Sequence, residues 1–316
     1  MRELTIGETR IADDTPAYVV AEIGANHQGS VATCKMLFDA AAACGVNAVK
    51  LQKRTNEDLY TAEYLAQPYN SEHAFGATYG EHRAALEFDW DQYRDLKAYA
   101  NGLGLDFFAT AWDFAAADFL DALGVPAFKI ASGDLLTPQL IRYCVEKGKP
   151  VIVSTGGGAL DDVLRIDRSL SGYTDVAFLQ CTASYPCRPA EMNLRVIQTY
   201  LRYLPFTVIG LSDHQDGISL APVAYALGAR IFEKHFTLDH TWKGSDQAFS
   251  LEPEGMKRMV HYLHQTYEAL GDGVKRCYDS ERGPLSKMQK SALPVESGWV
   301  FKSPVTPGAP APWEVA

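Results

Sequence analysis

Eight short apolar segments alternate with eight segments of helical periodicity, and this alternation restricts the fold more than any other feature of the 316-residue chain. The apolar segments cover residues 17–23, 47–52, 106–110, 127–132, 150–155, 176–181, 207–212 and 230–235. Their apolar density and β-branched content are typical of strands buried on both faces of a parallel sheet. The helical segments cover residues 31–45, 90–104, 114–124, 137–148, 159–170, 191–203, 217–228 and 253–270.

Eight strands that alternate with eight helices within about 250 residues form the pattern of a (β/α)8 TIM barrel, so we predict this α/β fold. A doubly wound open sheet is the alternative, but residues 24–29 resemble a dinucleotide-binding loop only superficially. We assign residues 1–292 to one barrel domain that carries the catalytic site. Residues 293–316 are rich in proline and lack helical periodicity, so we predict an extended C-terminal arm there.

The connection between the second strand and its helix, residues 53–88, is far longer than the usual 2–6 residues. It is rich in Tyr, His, Glu and Arg. A loop of this length at the strand ends of a barrel is typical of a lid or an interface arm, which we predict here. A passive insertion is the alternative.

Composition excludes several classes of function. Lys and Arg number 29 and Asp and Glu 39, which gives a net charge of −10 and argues against nucleic acid as the main partner. The N-terminal residues lack the apolar core of a signal peptide, and no apolar stretch is long enough to cross a membrane, so we expect no membrane association. The six cysteines include no C-x-x-C pair, and we expect reduced thiols in a cytoplasmic protein.

A polar residue follows or ends every predicted strand, at the face where barrel enzymes carry their active sites. Lys50 and Lys129 lie inside apolar segments, where a charge is costly unless it is paired. Together with the glycine turn 156–158 and three strand-end hydroxyls, they predict a site for a phosphate, a carboxylate or both. A Schiff-base lysine and structural pairing with a carboxylate are the alternatives. The hydroxyls belong to Ser132, Ser154 and Ser212.

His214 and His235 end adjacent strands in the predicted barrel. Imidazole is the commonest side-chain ligand of first-row metals, and two such groups on neighbouring strand ends can share one ion. We expect Glu22 and Asp246 nearby and predict a divalent metal. Two protein nitrogens leave positions for water and a substrate oxygen, which suits Lewis-acid catalysis.

A family resemblance adds to this interpretation. Eight segments, in family order between residues 17 and 275, make the chain similar to the sialic acid synthase family, which includes N-acetylneuraminate synthase and its legionaminate, pseudaminate and spore-coat relatives. The resemblance implies a (β/α)8 barrel that condenses phosphoenolpyruvate with an N-acylated or plain aldose, releases phosphate and requires a divalent metal, often Mn²⁺. The segments are AEIGANHQG (21–29), NAVKLQ (47–52), FKIASGD (128–134), VSTG (153–156), CTASYP (181–186), GLSDH (210–214), FEKHFTLD (232–239) and GSDQAFSLEP (244–253).

The same resemblance implies roles for individual residues. Glu22 would position or deprotonate water, and His214 and His235 would bind the metal, for which Mg²⁺ and Co²⁺ are alternatives to Mn²⁺. We also assign Gln52 to substrate binding and expect a homodimer. The residues implied in phosphoenolpyruvate binding are Lys50, Thr110, Lys129, Ser132, Ser154 and Ser212, and those implied in sugar binding are Tyr185, Asp134 and Asp246.

Three departures from the family pattern concern the sugar side of the site. The family carries a C-terminal antifreeze-like domain that gives an arginine to the partner subunit's site, whereas this sequence stops at Ala316. Asp134 stands where the family has glutamate, and Ala183 where it has asparagine. We therefore expect unchanged chemistry on an altered or unknown acceptor. We also expect Arg83 or His82 of the long loop to replace the arginine, unless Arg83 merely pairs with a neighbouring glutamate, Glu81 or Glu87.

The predicted function is condensation of phosphoenolpyruvate with an aldose, of the N-acylated hexosamine type, to give a sialic-acid-like nonulosonic acid and phosphate. Three alternatives stay open. A related keto-deoxy-aldonate phosphate synthase would need a basic pair for a sugar phosphate, for which Arg54 and Arg83 are candidates. The others are a Schiff-base aldolase and a non-catalytic sugar-binding barrel.

Overall fold

The computed structural model describes residues 2–173 and 175–302. The chain divides into two compact units, Met1–Leu270 and Gly271–Ala316. The first unit begins with an antiparallel hairpin of strands β1 (Glu3–Ile6) and β2 (Thr9–Ala12), which the sequence analysis did not predict. Eight parallel strands follow and close into a barrel. They are β3 (Tyr18–Gly24), β4 (Ala48–Lys53), β5 (Asp106–Ala111), β6 (Phe128–Ile130), β7 (Val151–Ser154), β8 (Val176–Cys181), β9 (Val208–Asp213) and β10 (Ile231–His235).

The barrel closes where β10 pairs with β3, and every other pair joins strands that are consecutive along the chain. This arrangement confirms the predicted (β/α)8 barrel, and each of the eight strands lies within two residues of its predicted bounds. In the strand register Glu22 stands beside Lys50 on one side and His235 on the other. The register therefore brings the polar residues of three strands to one level of the barrel.

Helices surround the barrel, and longer ones such as those at Val31–Ala43, Trp90–Gly102 and Phe114–Leu123 bury apolar residues against the core. Asp113 caps the helix that follows β5 by accepting a hydrogen bond from the Ala116 amide, and Gly124 ends that helix in a left-handed conformation. The helices are α1 (Val31–Ala43), α2 (Asn56–Leu59), α3 (Ala62–Leu65), α4 (Tyr79–Leu86), α5 (Trp90–Gly102), α6 (Phe114–Leu123), α7 (Pro138–Val145), α8 (Leu160–Ser169), α9 (Pro189–Met192), α10 (Arg195–Tyr203), α11 (Leu220–Ala226) and α12 (Pro253–Leu270).

All eight predicted helices are present, but two segments differ from the prediction. The segment predicted as one helix from residue 191 is divided into α9 and α10, because Asn193 between them has a positive φ of 42°. The long loop 53–88 is not irregular throughout, since it contains α2, α3 and α4. Helix α4 begins with a capping box in which Thr78 and Glu81 exchange hydrogen bonds with each other's backbone.

The second unit contains helix α13 (Asp279–Met288) and a hairpin of strands β11 (Ser291–Val295) and β12 (Gly298–Lys302). Residues 293–302, predicted to be part of an extended arm, pair within this hairpin. The prediction missed the pairing because Pro294 lies within β11, and proline argues against a strand. The predicted domain boundary after residue 292 stays a prediction, and residues 303–316 lie outside the described residues. Among the described helices, none has the length and apolar character needed to span a membrane.

Candidate active site

A cavity of about 480 Å³ opens at the carboxyl ends of the barrel strands. It is the point at which the sequence analysis expected the site, and 13 of the 14 predicted site residues line it. The role of each residue remains a prediction, but the structure brings these side chains together. They are Glu22, Lys50, Gln52, Arg83, Thr110, Lys129, Ser132, Ser154, Tyr185, Ser212, His214, His235 and Asp246.

Lys50 lies at the base of the cavity between two carboxylates. Its Nζ atom is 2.5 Å from Oε2 of Glu22 and 3.6 Å from Oε2 of Glu233, and it also donates a hydrogen bond of 2.9 Å to Thr110. The side chains of Lys50 and Glu22 are both only 2% exposed. A cluster of charges this well shielded from water is held together by mutual pairing.

Lys129 approaches the same cluster from strand β6. Its Nζ atom lies 3.7 Å from Oε1 of Glu233 and donates hydrogen bonds to Ser154 Oγ at 2.7 Å and to the Ile130 carbonyl at 2.8 Å. Glu233 therefore contacts both lysines, and it also accepts a hydrogen bond of 3.1 Å from Ser212. The structure thus shows the carboxylate pairing that the sequence analysis held as one alternative, within a cavity that remains open to an anion.

The protonation of this cluster follows from burial and charge together. Burial raises the pKa of Glu22 to about 7, and the neighbouring charge of Glu233 contributes in the same direction, although Lys50 opposes both. Burial also raises the pKa of a carboxyl such as Glu233, but Lys129 and Lys50 outweigh it and lower this pKa to about 2. Glu233 is therefore the permanent anion of the cluster, whereas Glu22 can exchange a proton near neutral pH.

The pKa values of the two lysines are also shifted in opposite directions. Burial lowers the pKa of Lys129 more than the carboxylates raise it, whereas Glu22 and Glu233 outweigh burial and raise the pKa of Lys50. Lys50 is therefore the more firmly charged of the two ammonium groups.

Ser132 closes one wall of the cavity beside the glycine turn. Its Oγ atom accepts a hydrogen bond of 3.0 Å from the Gly156 amide and lies 3.3 Å from Sγ of Cys181. A Cβ atom at Gly156 would lie 2.7 Å from Ser132 Oγ and 3.0 Å from the Cβ of Ala183. Glycine is therefore needed for this close approach, and the turn holds the hydroxyl in place.

His214 and His235 face each other at the other side of the cavity, with ring centroids 5.5 Å apart. The Thr182 carbonyl accepts a hydrogen bond of 3.0 Å from Nδ1 of His214. Nδ1 therefore carries the proton of the neutral ring, and Nε2 carries a lone pair that is available to a ligand. Nδ1 of His235 is buried without a hydrogen-bond partner and lies 3.8 Å from Oδ2 of Asp246. The ring of Tyr185 lies against that of His214, with centroids 4.1 Å apart and the planes tilted by 39°.

The histidine pair fits a divalent metal in its donor chemistry. Burial lowers the pKa of His214 to about 4 and also lowers that of His235, so both rings are neutral near pH 7, as metal ligands must be. An unpartnered buried nitrogen on His235 is consistent with a ligand position. The described residues contain no group of three or more His, Cys, Asp or Glu side chains arranged to hold a metal. The remaining positions of an ion would therefore belong to water or substrate.

The long loop forms the outer wall of the cavity, through Tyr69, His82 and Arg83. Nε of Arg83 donates a hydrogen bond of 2.9 Å to the hydroxyl of Tyr79, and its guanidinium lies 5.1 Å from the centre of that ring. Among the described residues Arg83 has no carboxylate within ion-pair distance, so the pairing with Glu81 or Glu87 that the sequence left open is not observed. The loop lies on the same side of the barrel as the two histidines, as predicted.

Asp134 is the predicted site residue that does not line the cavity. It ends the turn Ser132–Asp134, where its Oδ1 atom accepts a long hydrogen bond of 3.5 Å from Thr137 and its Oδ2 atom is buried without a partner. Burial raises its pKa. Ser132 and Gly133 of this turn line the cavity but Asp134 does not, so its predicted contact with a sugar stays a prediction.

Comparison with known proteins identifies the family. A family model described as the NeuB family matches residues 37–275. This chain belongs to the NeuB family. N-acetylneuraminate-9-phosphate synthase of Homo sapiens is 39% identical over 279 residues, which cover 88% of this chain and 78% of that protein. N,N'-diacetyllegionaminic acid synthase of Legionella pneumophila is 35% identical over 84% of this chain and 76% of its own length.

A solved structure supports the same assignment. N-acetylneuraminic acid synthetase of Leptospira borgpetersenii, crystallised with citrate, superposes with a TM-score of 0.76 at 30% identity, over 90% of this chain and 95% of that one. Membership of the NeuB family confirms the predicted family and the prediction that the chain is an enzyme of the synthase type.

Two residues that line the cavity of this NeuB-family chain, Glu233 and Arg54, were not among the predicted site residues. Glu233 was not singled out, although a carboxylate inside an apolar strand carries the same signal that identified the two lysines. Arg54 was considered only for a sugar phosphate, yet it lines the cavity with 8% exposure and stacks on Trp112 at 4.3 Å. Its position directly after β4 could have placed it at the site.

Proposed function

We propose that this NeuB-family enzyme condenses phosphoenolpyruvate with the open-chain form of an aldose and gives a nonulosonic acid and inorganic phosphate. The observation that carries the proposal is the presence of two buried lysines and a histidine pair in one cavity at the strand ends. The lysines suit a substrate that carries a carboxylate and a phosphate, and the histidines suit activation of an aldehyde.

Lys50 and Lys129 would hold the negative charges of phosphoenolpyruvate. Both contact Glu233, and Lys50 also contacts Glu22, so the protein's own carboxylates hold the two ammonium groups in place. Ser154 and Thr110 fix the two Nζ positions through hydrogen bonds. Such preorganised charge lowers the cost of reorganisation as the reaction proceeds. Ser132 and Ser212 would add hydroxyl donors for the substrate oxygens.

His214 and His235 would hold a divalent cation, for which we propose Mn²⁺ with Mg²⁺ and Co²⁺ as alternatives. A divalent cation bound by two imidazoles supplies Lewis-acid polarisation of a carbonyl. The chain itself keeps the histidines ready for this role, because burial holds both rings neutral and the Thr182 carbonyl fixes the orientation of His214. The ring of Tyr185 lies against that of His214 and would support the acceptor sugar beside it.

The reaction balances as follows. C3 of phosphoenolpyruvate attacks the aldehyde carbon, one carbon–carbon bond forms, and the aldehyde oxygen takes up a proton. Water adds at C2, and the carbon–oxygen bond to phosphate breaks, which leaves a 2-keto acid. Glu22 would accept the proton of the water, since its raised pKa suits proton transfer near neutral pH. Gln52 donates a hydrogen bond of 2.8 Å to Oε1 of Glu22 and would keep that carboxylate oriented.

The names of the relatives do not agree on whether the acceptor sugar carries a phosphate. One is named for a 9-phosphate product, whereas the Legionella pneumophila synthase is named for a product without phosphate. We propose an N-acylated hexosamine as the acceptor class for this chain. We also propose a homodimer, which light scattering coupled to size exclusion would test.

A phosphate-release assay tests the proposed function. The enzyme is supplied with phosphoenolpyruvate and, in turn, a panel of N-acylated and plain aldoses, each with and without Mn²⁺. The proposal expects phosphate release only when an aldose and the metal are both present. Phosphate release that is independent of the aldose, or none with any acceptor, would refute it.

A Schiff-base aldolase is a second candidate, because burial lowers the pKa of Lys129 toward the range of a nucleophilic amine. The carboxylate and hydroxyl contacts of Lys129 favour the ammonium form instead. Borohydride treatment with pyruvate decides between the two. Covalent labelling of Lys129 or Lys50 would support the aldolase, and an unmodified protein would support the synthase.

A further inference from the structure

Lys234 and Asp213 form a buried ion pair that the proposed reaction does not use. Their Nζ and Oδ2 atoms are 2.9 Å apart, and the two side chains are only 1% and 4% exposed. His214 and His235 line the cavity, but the residues directly before them, Asp213 and Lys234, do not. Because successive side chains of a strand point to opposite faces, the ion pair lies on the outer face of the barrel, behind the two histidines.

The ammonium group of Lys234 also contacts the backbone beyond His214. Nζ donates a hydrogen bond to the Gln215 carbonyl, and the Gln215 amide donates one of 2.8 Å to Oδ1 of Asp213. The residues on both sides of His214 are therefore bound to the residue that precedes His235. One ammonium group thus connects the backbone around the first histidine to the strand that carries the second.

The backbone pairing of the two strands does not reach this far. In the register of β9 and β10 the last pair is Asp213 with Lys234, so the ladder ends before His214. On its other side, the His214 carbonyl accepts a hydrogen bond of 2.8 Å from the Cys187 amide. On the side of β10, the side chain of Lys234 continues the connection past the last ladder pair.

The energetics of a buried ion pair favour a geometric role over a stabilising one. Removing both charges from water offsets most of their attraction, so apolar residues of similar volume often give equal or greater stability. A buried charge nevertheless requires its partner at a defined distance, whereas apolar side chains can pack in several ways. The pair of Lys234 and Asp213 is therefore suited to fixing the geometry of the strand ends that carry the histidines.

We propose that Lys234 and Asp213 are positioning residues of the metal site, whose ion pair sets the separation at which His214 and His235 bind one divalent cation. This inference rests on the proposed function, in which the two histidines hold the cation. Their ring centroids lie 5.5 Å apart. Ligands that the protein holds in place bind an ion more tightly, because less conformational freedom is lost on binding.

The test removes both charges at once, because loss of one partner would leave the other buried and unpaired. In the double variant, Asp213→Asn keeps a side-chain oxygen that can accept from the Gln215 amide, and Lys234→Met keeps an unbranched chain of similar length. Binding of Mn²⁺ alone is measured by electron paramagnetic resonance, in which the signal of free Mn²⁺ gives the unbound fraction. We expect the dissociation constant to rise by about tenfold or more, as for other residues that orient metal ligands.

Tyr18→Phe is the matched control. The hydroxyl of Tyr18 donates a hydrogen bond of 2.7 Å to Asp106, and these residues begin strands β3 and β5, at the opposite end of the barrel from the cavity. The substitution should lower the free energy of unfolding but leave the affinity for Mn²⁺ unchanged. An unchanged dissociation constant in the double variant, or an equal loss of affinity in Tyr18→Phe, would overturn the positioning role.

Asp213→Asn alone is a second and milder variant, because Lys234 keeps the Gln215 carbonyl as a partner. It should weaken Mn²⁺ binding in the same direction by a smaller factor. If the double variant does not fold, this variant decides. An unchanged dissociation constant in Asp213→Asn would then refute the proposal.

Steady-state kinetics distinguish positioning from a general loss of structure. In the double variant the Mn²⁺ concentration that gives half-maximal activity should rise by about the same factor as the dissociation constant, and excess Mn²⁺ should restore most of kcat. The KM for phosphoenolpyruvate should stay nearly unchanged, because Glu233 pairs with Lys50 and Lys129. A kcat that stays low at saturating Mn²⁺, with an unchanged dissociation constant, would show a purely structural role.

Metal binding and phosphate release can fail separately. If the unmodified protein binds Mn²⁺ but releases no phosphate with any aldose, the proposed function fails, and the ratio of the dissociation constants still decides the role of the ion pair. If the unmodified protein binds no Mn²⁺, the positioning role is refuted, and the phosphate-release assay decides on the condensation by itself.

Discussion

Glu22 and Lys50 stand beside each other on strands β3 and β4, and their carboxylate and ammonium groups lie 2.5 Å apart at the base of the cavity. The pair is almost completely shielded from water, and burial raises the pKa of Glu22 to about 7 despite the adjacent cation. In the proposed reaction, a carboxyl that titrates near neutral pH beside a lysine whose pKa is raised would provide a proton acceptor and an anion contact in one pair.

The pH dependence of kcat/KM should report Glu22. If its ionised form takes the proton of water, activity falls as pH drops below about 7, because the raised pKa protonates Glu22 there. Glu22→Gln should lower kcat by about 10²–10⁴ and abolish this acid limb. An acid limb that persists unchanged in Glu22→Gln would assign the titration to another group or to the substrate.

The same shift predicts the sign of a stability effect. The pKa of Glu22 is higher in the folded than in the unfolded state, so the folded protein binds the extra proton between about pH 4.5 and pH 7. The contribution of Glu22 to the free energy of unfolding therefore decreases as pH rises through this range. The free energy of unfolding at pH 5 minus that at pH 8, measured by chemical denaturation, should be lower for Glu22→Gln than for the unmodified enzyme, because the substitution removes a contribution that favours pH 5. An equal value of this signed difference in both proteins would contradict the shift.

Lys129→Ala should raise the KM for phosphoenolpyruvate by about tenfold or more and lower kcat, because the ammonium balances charge in both the substrate and the transition state. Lys129→Arg should restore activity only in part, since a planar guanidinium cannot reproduce the contacts of the point ammonium with Ser154 and Glu233. Steady-state kinetics at saturating acceptor measure kcat and the KM for phosphoenolpyruvate in each variant. An unchanged KM for phosphoenolpyruvate in Lys129→Ala would remove this residue from the anion site.

Metal content should depend on the histidine pair. His235→Ala should lose stoichiometric Mn²⁺ binding, because it removes the ring whose buried Nδ1 atom has no other partner. His264→Ala is a control, since His264 is exposed on helix α12 and pairs only with Glu268. Elemental analysis after dialysis gives the ratio of metal to protein. Equal metal content in all three proteins, or full activity in excess chelator, would contradict the assignment.

Gly210 should be irreplaceable within strand β9. A Cβ atom there would lie 2.4 Å from the Ile231 carbonyl and 2.4 Å from Cδ2 of Leu179, so Gly210→Ala should reduce the free energy of unfolding by about 1–3 kcal/mol. Gly102→Ala has no atom within 4 Å of its new Cβ and should be neutral or stabilising by up to about 1 kcal/mol. Denaturant titration measures the free energy of unfolding of both variants. Equal values for Gly210→Ala and Gly102→Ala would contradict the close packing around Gly210.

The barrel could be predicted from sequence because its strands and helices each carry a local pattern. Lys50 and Lys129 were found because a charge inside an apolar strand is costly wherever it lies. The residues that form an ion pair with these lysines, however, are far from them in the sequence. The contact of Glu233 with both lysines depends on how strands β4, β6 and β10 meet inside the barrel, and no sequence pattern shows it.

The loop and the C-terminal region were predicted less well, for a related reason. Arg83 was predicted, with His82 as the alternative, to replace the arginine that the family pattern implies, but its contact with Tyr79 and its place in the cavity lining arise from the fold of helix α4. Asp134 was assigned by motif, and a motif does not show whether a residue of the turn Ser132–Asp134 lines the cavity. The hairpin at Ser291–Lys302 contains a proline, which hides a strand from pattern analysis.

Mass analysis of the products formed in H₂¹⁸O tests the central claim most directly. With phosphoenolpyruvate and an accepted aldose, the account predicts an acid that is three carbons longer than the acceptor, formed in equal amount with phosphate. The phosphate should contain no solvent oxygen, because the carbon–oxygen bond breaks. Phosphate that carries ¹⁸O, or phosphate released without the lengthened acid, would contradict the account.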